Sequence, residues 1–465
     1  MRFLIIFSIC LAGCTPYEKY EPPSVYSPSG WKNPDYADNV QALGQWWYLF
    51  EDEELNALEG LALEKNYSIE EAFQNWQQAR ALAFVARSAQ FPQASLNPNF
   101  SKKNNLILFQ GPGQVNTRPF RIEQAQYSLP LDVSYEVDFW HKIYDNYKAH
   151  LYNAESRFEA YNNMILSITA DVALHYYTLR GLDSELDVLE MNRKIRQDAY
   201  DISLSKYEAG LVNFTDVSRA ETELASVLAD FENTSRLRNL EENILGTLTT
   251  VAASEFFIPH NPLKKFPPSI PAGIPSSLLL RRPDIRQAER EMASTHMQVA
   301  VQYAAYFPSL SFEGGIGFFS PLLHNLIDWK ARFWSIAGNI AQVVFDGGAI
   351  QGNVAAAKAV YLQNVARYQD TVLRSFQEVE DALGNIHYVI KQEKDLIKAV
   401  KSAQVTFTLS SDRYRQGLVT YLEVVDAERS LLENQRLVVK AHTQEYLFTI
   451  SLIKSLGGGW NDECH

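Results

Sequence analysis

The chain repeats itself, and that constrains its fold more than any other feature. Tyr207-Glu-Ala-Gly210-Leu211-Val212 returns as Tyr414-Arg-Gln-Gly417-Leu418-Val419, a spacing of 207 residues. The same spacing relates Ile143 to Ile350, Asn146 to Asn353, Ala149 to Ala356, Val217 to Val424, Ala220-Glu221 to Ala427-Glu428 and Leu224 to Leu431. Nearer the N-terminus the spacing is 216, pairing Ala72 with Ala288, Val85 with Val301 and Phe91-Pro92 with Phe307-Pro308. One offset kept over so many positions marks a duplication. The step from 216 to 207 puts nine extra residues in the first copy, between 92 and 143.

Each copy reads as the same series of elements. A helix comes first, about 53–90 and 283–306, and ends near Phe-Pro because proline disfavours helix in the residue before it. Pro283-Asp284 is a favourable first-turn pair for the second of these. A strand hairpin follows. Tyr127, Leu129, Leu131, Val133, Tyr135 and Val137 alternate with Ser128, Pro130, Asp132, Ser134, Glu136 and Asp138, the period of two expected of a strand with one oily face. Residues 309–318 and 334–341 repeat the pattern, and Leu96, Pro98 and Phe100 give a weaker fourth strand. The extra residues are expected to enlarge the hairpin loop 101–119 relative to 320–332.

Such strands have the length and the aromatic ends of tilted membrane strands. Four of them cannot close alone, because in lipid every backbone N–H and C=O must be paired and bacterial barrels begin at about eight strands. Two or three chains would supply eight or twelve.

Long helices complete each copy. Lys142 to Ala209 contains no proline and only Gly181; Ala349 to Gln416 contains only Gly352 and Gly384. Helices of that length reach on the order of 90–100 Å and read as coiled-coil elements. Gly210 and Gly417 are plausible left-handed stops. The return helices open at Asn213-Phe-Thr-Asp216 and at Thr420-Tyr-Leu-Glu423, the latter a capping box. Six prolines between Pro259 and Pro275 make an extended linker between the copies.

The N-terminus has a basic start, the apolar run Phe3 to Leu11 and Ala12-Gly13-Cys14, an export-signal pattern. The run is shorter than the roughly 20 residues of a membrane-spanning helix. Leu11-Ala12-Gly13-Cys14 resembles the bacterial lipobox, which implies cleavage after residue 13 and diacylglycerol and N-acyl lipid on Cys14. Thr15 follows instead of the Asp of inner-membrane retention, so sorting to the outer membrane is implied. The Pro-, Ser- and Tyr-rich stretch to about Leu43 reads as an extended tether. The division expected is signal 1–13, anchored segment 14–50, first repeat 51–258, linker 259–282, second repeat 283–460 and tail 461–465.

A formal charge of −13 argues against nucleic-acid binding. Three cysteines, Cys10, Cys14 and Cys464, make neither a disulfide framework nor a metal cluster. The nine histidines are scattered, without His-Glu-x-x-His, a Gly-x-Ser-x-Gly turn or a Walker A loop, so no enzyme and no resident cofactor is expected. Glu313-Gly-Gly-Ile-Gly317 lies within a strand pattern and opens no helix.

Over nearly its whole length the chain resembles the outer membrane factor family, the TolC/NodT type of outer membrane efflux protein. The resemblance rests on Trp46-Trp47, Phe50, Leu55, Leu58, Ala62-Leu63 and Asn66, on Ile270 through Arg281-Arg282-Pro283-Asp284 to Glu289, and on Val344-Phe-Asp-Gly-Gly348 and Leu456-Gly-Gly-Gly-Trp460. It implies a mixed, mainly α fold. Antiparallel coiled-coil helices would form a periplasmic α-barrel, and four strands per chain would enter a twelve-stranded transmembrane β-barrel of a homotrimer. It also implies a passive exit duct for a tripartite efflux or type I secretion system. The partners implied are outer-membrane lipid, a periplasmic adaptor protein and an inner-membrane pump of RND or ABC type.

The family's sites fall on definite residues. Gly210-Leu211-Val212 and Gly417-Leu418-Val419 match the tips that meet the adaptor. Leu422, Glu423 and Asp426 match the residues that close the duct, with Glu423 readable either as gate or as helix cap. Tyr414 and Asp216 match a pair that ties neighbouring helices shut, although that lock's basic partner falls at Val419 here. The rival reading is a lipid-anchored periplasmic coiled-coil scaffold, which leaves the amphipathic hairpins without a use.

Overall fold

A computed structural model describes residues 17–25, 27–28, 30–32, 44–109, 118–270 and 281–458. The signal sequence, Cys14, the tail 461–465 and residues 271–280 of the linker lie outside them. The chain is mainly helical with one small antiparallel sheet. Its order is α1 (Glu53–Lys65), α2 (Tyr67–Ser88), β1 (Gln93–Leu96), β2 (Asn99–Phe109), β3 (Arg118–Val137), α3 (Lys142–Glu208) and α4 (Phe214–Leu248). Then follow α5 (Pro283–Ala304), β4 (Ser309–Ser320), β5 (Arg332–Ala341), α6 (Ala349–Arg415) and α7 (Tyr421–Ser455). Among the described residues, no helix is long and apolar enough to cross a membrane.

The duplication extends to the helix ends. α3 and α6 are both 67 residues long, α4 and α7 both 35, and every boundary is displaced by the same 207.

Three expectations need correction. The helix expected over 53–90 breaks at Asn66. There the side-chain Oδ1 accepts from the N–H groups of Ser68 and Ile69, and Nδ2 donates to the Leu248 carbonyl, so a cap and an anchor replace one helical residue. Most of the extra residues lie in paired strand rather than in a loop, because β2 and β3 stay in register from Asn99↔Ser128 out to Phe109↔Arg118. The described part of the stretch read as a tether has no helix or strand, and it packs on the fold rather than hanging free: Tyr20 donates to Glu289 Oε1 at 2.6 Å, and Trp31 meets Phe376 edge-on.

β1 and β2 are one strand with a gap. Gln93↔Ser134 and Asn99↔Ser128 share one register, interrupted at Asn97-Pro98, opposite Leu129 and Pro130. Proline has no N–H to give the ladder. Asn97 keeps one bond, donating its N–H to the Pro130 carbonyl. With that strand counted once, the sheet has four strands, ordered β1/β2–β3–β4–β5.

Register explains the faces of the sheet. Leu96, Leu131, Ile316 and Trp334 lie in one row across the four strands, and Val137, Leu310 and Ile340 form another. The intervening rows are Ser95, Asp132, Gly315 and Ser335, then Glu136, Ser311 and Asn339. One face is therefore apolar and the other polar, and Leu96, Ile316, Trp334, Ile336 and Ile340 are exposed.

The chain divides into two compact units, each drawing on both repeats. One contains the sheet, with residues Trp76–Ser156 and Glu289–Arg367; the other takes in Ser24–Asn75, Arg157–Ala288 and Tyr368–His465. In the second unit Phe50, Tyr177 and Tyr446 form an aromatic core, with the rings of Tyr177 and Tyr446 stacked at 4.3 Å. Arg180 is buried beside it, bonded to Asp183, Glu54 and the Pro259 carbonyl, and lies over the Tyr176 ring.

Candidate functional site

The two helical hairpins turn in the same way. Gly210 and Gly417 have φ of +71° and +75°, a region costly for any residue with a Cβ. At the first turn Leu211 N–H bonds to the Lys206 carbonyl and Gly210 N–H to that of Tyr207; at the second Leu418 bonds to Arg413 and Gly417 to Tyr414. This pair of bonds is the Schellman motif, which satisfies the last carbonyls of a helix. It leaves the next side chain outside the turn. Leu211 is 73% exposed and Leu418 64%. Val212 and Val419 are half-buried beside them.

The return helices differ from expectation at their first residue. Asn213 and Thr420 occupy extended N-cap positions, yet neither side chain makes a capping bond. The capping box read at Thr420–Glu423 is therefore not formed, and capping does not account for Glu423. Along α7, Tyr421, Val424, Val425, Ala427 and Glu428 are buried, whereas Leu422, Glu423 and Asp426 are exposed. Of these, Tyr421, Val424 and Val425 pack with Ala220, Tyr200, Phe407 and Tyr414. The three residues matched to the closed end of a duct thus share the uncovered face of the helix, as their spacing predicts.

Tyr414 and Asp216 approach each other without a bond. The Tyr414 hydroxyl is buried beside Ser203, and Lys206 Nζ lies 4.1 Å from the ring centroid. Burial, and then the charge of Asp216, raise the Tyr414 pKa. Asp216 itself lies 3.9 Å from Arg219 on its own helix.

Sequence reasoning missed a charge network two turns above Tyr421, buried at Arg196, Glu223 and Glu428 and exposed at Arg429. Arg196 of α3 donates to Glu428 Oε1 at 2.8 Å and to the Glu223 carbonyl at 2.7 Å. Glu223 of α4 also accepts from Arg429 of α7. Three helices from both hairpins are joined by four charged side chains. The signal was present: Glu428 falls on the apolar spacing of Val424, Val425, Leu431 and Leu432, where an acid requires a partner.

The sequence pattern of the outer membrane efflux protein family matches residues 58–249 and 274–458, one segment in each repeat. The chain belongs to that family. Among its relatives, the toluene efflux pump outer membrane protein TtgF of Pseudomonas putida is 25% identical, covering 98% of this chain and 96% of the relative. The cation efflux system protein CusC of Escherichia coli O157:H7 is 27% identical over 97% of each. The solved structure of the outer-membrane channel OprN superposes with a TM-score of 0.88 at 26% identity, covering 96% of this chain and all of that one. A CusC structure gives 0.85 at 25% identity. This outer membrane efflux protein is the outer-membrane channel of an efflux system, and its fold is that of OprN and CusC.

Proposed function

We propose that three copies of this chain close one twelve-stranded barrel, anchored by lipid on Cys14, that passively conducts what an inner-membrane pump delivers through an adaptor. The observation that carries the reading is the sheet. It has an exposed apolar face and, among the described residues, no pairing within the chain for the outer edges of β1/β2 and β5. Such edges in lipid demand partners, and copies of the same chain supply them in one repeated register. The exposed Leu211 and Leu418 suit insertion between helices of an adaptor. Threefold repetition turns Asp426 and Glu423 into rings of carboxylates that narrow the duct and favour cations.

The test is the mass of the detergent-solubilised complex from outer membranes, by light scattering corrected for bound detergent. Three chains per particle is the expected result. A monomer, or protein released without detergent, leaves the edges unpaired and returns the reading to an anchored periplasmic scaffold. Mass spectrometry of the mature N-terminus tests the lipid on Cys14 separately.

A further inference from the structure

Away from the hairpin ends, three metal-ligating side chains converge in the second unit. Glu393 of α6 meets His442 and Glu445 of α7, and one ligand atom from each lies within 4.8 Å of the other two. Glu393 is buried, and Glu445 is only 8% exposed. His442 and Glu445 are three residues apart, so both project from one face of their helix.

The hydrogen bonds around the ring decide how it is presented. His442 Nε2 lies 3.0 Å from the Lys265 carbonyl oxygen, which also accepts from the Tyr446 hydroxyl at 2.6 Å. A carbonyl only accepts, so Nε2 carries a proton. Nδ1 then faces Glu393 Oε1 at 3.1 Å. In a neutral ring this sets a lone pair against a carboxylate oxygen, an arrangement that needs a cation between them. A proton on Nδ1 serves Glu393 alone. It leaves Glu445 Oε2, a buried oxygen that no N–H or O–H donor of the described residues reaches. A divalent ion serves all three groups and balances two carboxylates.

We propose that Glu393, His442 and Glu445 bind one divalent metal ion of zinc-like preference, which fastens α6, α7 and the Pro-rich linker together. Imidazole and carboxylate ligands without sulfur are a common zinc set, with a fourth position left for water. Metal-bound histidines usually donate the other ring N–H to a carbonyl or carboxylate, as His442 does to Lys265. The 3.1 Å between Nδ1 and Oε1 is close to the roughly 3.4 Å separating two ligands of a tetrahedral zinc ion. The ion is structural, and the site does not depend on what the duct conducts.

The experiment uses the full-length protein in detergent, stripped with chelator and dialysed against Zn²⁺. Elemental analysis is expected to find one zinc per chain. His442→Gln and Glu445→Gln should each weaken binding at least on the order of tenfold. X-ray absorption of the wild-type complex should show one imidazole and oxygen ligands at about 2.0 Å. Substoichiometric zinc in the wild type overturns the proposal and leaves the cluster held by a proton. So does an all-oxygen shell, or stoichiometric binding that survives both substitutions. The absorption spectrum needs no variant, so a variant that fails to fold does not spoil the test.

Discussion

Arg196 and Glu428 form a buried ion pair between the two helical hairpins, with side chains 4% and 2% exposed and Nε 2.8 Å from Oε1. Among the described residues, replacing Arg196 with Met removes the one ion-pair partner of Glu428 and one of two for Glu223. Stranding a buried carboxylate in this way costs about 3–5 kcal/mol. Hydrogen exchange should accelerate across residues 190–230 and 414–432, and adding Glu428→Gln should restore part of the protection. Unchanged exchange in the single variant would show that the pair holds nothing.

Gly181 sits where α3 crosses α7, and a Cβ there would collide with the Thr443 side chain. Thr443 is β-branched and its hydroxyl is bonded to the Val439 carbonyl, so it cannot swing aside freely. Gly181→Ala is expected to destabilise by about 1–3 kcal/mol, the usual cost of overpacking. Thermal unfolding of the variant against wild type measures it.

Asp426 lies on the uncovered face of α7 with Glu423 and Leu422. Asp426→Ala should raise the resting conductance in planar bilayers and weaken the preference for cations. Conductance and selectivity both equal to wild type would remove Asp426 from the gate.

Leu211→Glu and Leu418→Glu change the exposed tips without touching the Schellman turns. Export should fail in cells while trimers assemble normally. Normal export with both substitutions combined would place adaptor contact elsewhere.

His175 is tied to Glu241, with Nδ1 2.7 Å from the carboxylate oxygen, and that bond raises its pKa above the usual value. A folded-state pKa above the unfolded one gives stability that is complete below about pH 6.5 and lost as pH rises through the raised value. The melting temperature of wild type minus His175→Gln should therefore shrink as pH climbs from 6 towards 8.5. A difference that stays constant or grows would reverse the assignment.

Much of this was legible because it depends on local rules. Period-two alternation gave β3 its apolar face, and the repeat fixed α3 against α6 and α4 against α7. Gly210 and Gly417 announced their turns. Apart from the cap at Thr420, which is local, the misses share a cause: each depends on a partner elsewhere in the chain. Asn66 breaks a helix because the Leu248 carbonyl accepts from its side chain, 182 residues away. Lys102-Lys103-Asn104-Asn105 look like loop, yet they pair with residues 122–125. Arg196 and Glu428, or Glu393 and His442, meet only once the helices are side by side.

The equality of the two repeats bears on how such a chain can change length. An added residue in α3 or α6 would turn everything beyond it by about 100° and carry the hairpin end on by about 1.5 Å. It would take Gly210 or Gly417 out of step with its counterpart and swing Arg196 away from Glu428. Strands tolerate growth more easily, because two residues added on each side of a hairpin keep the same faces. The nine-residue difference between the repeats falls between Pro92 and Ile143, the segment that holds the hairpin, and none falls in the long helices. The length difference is thus confined to the segment that holds the hairpin, while the helices act as a ruler that neither half can alter alone.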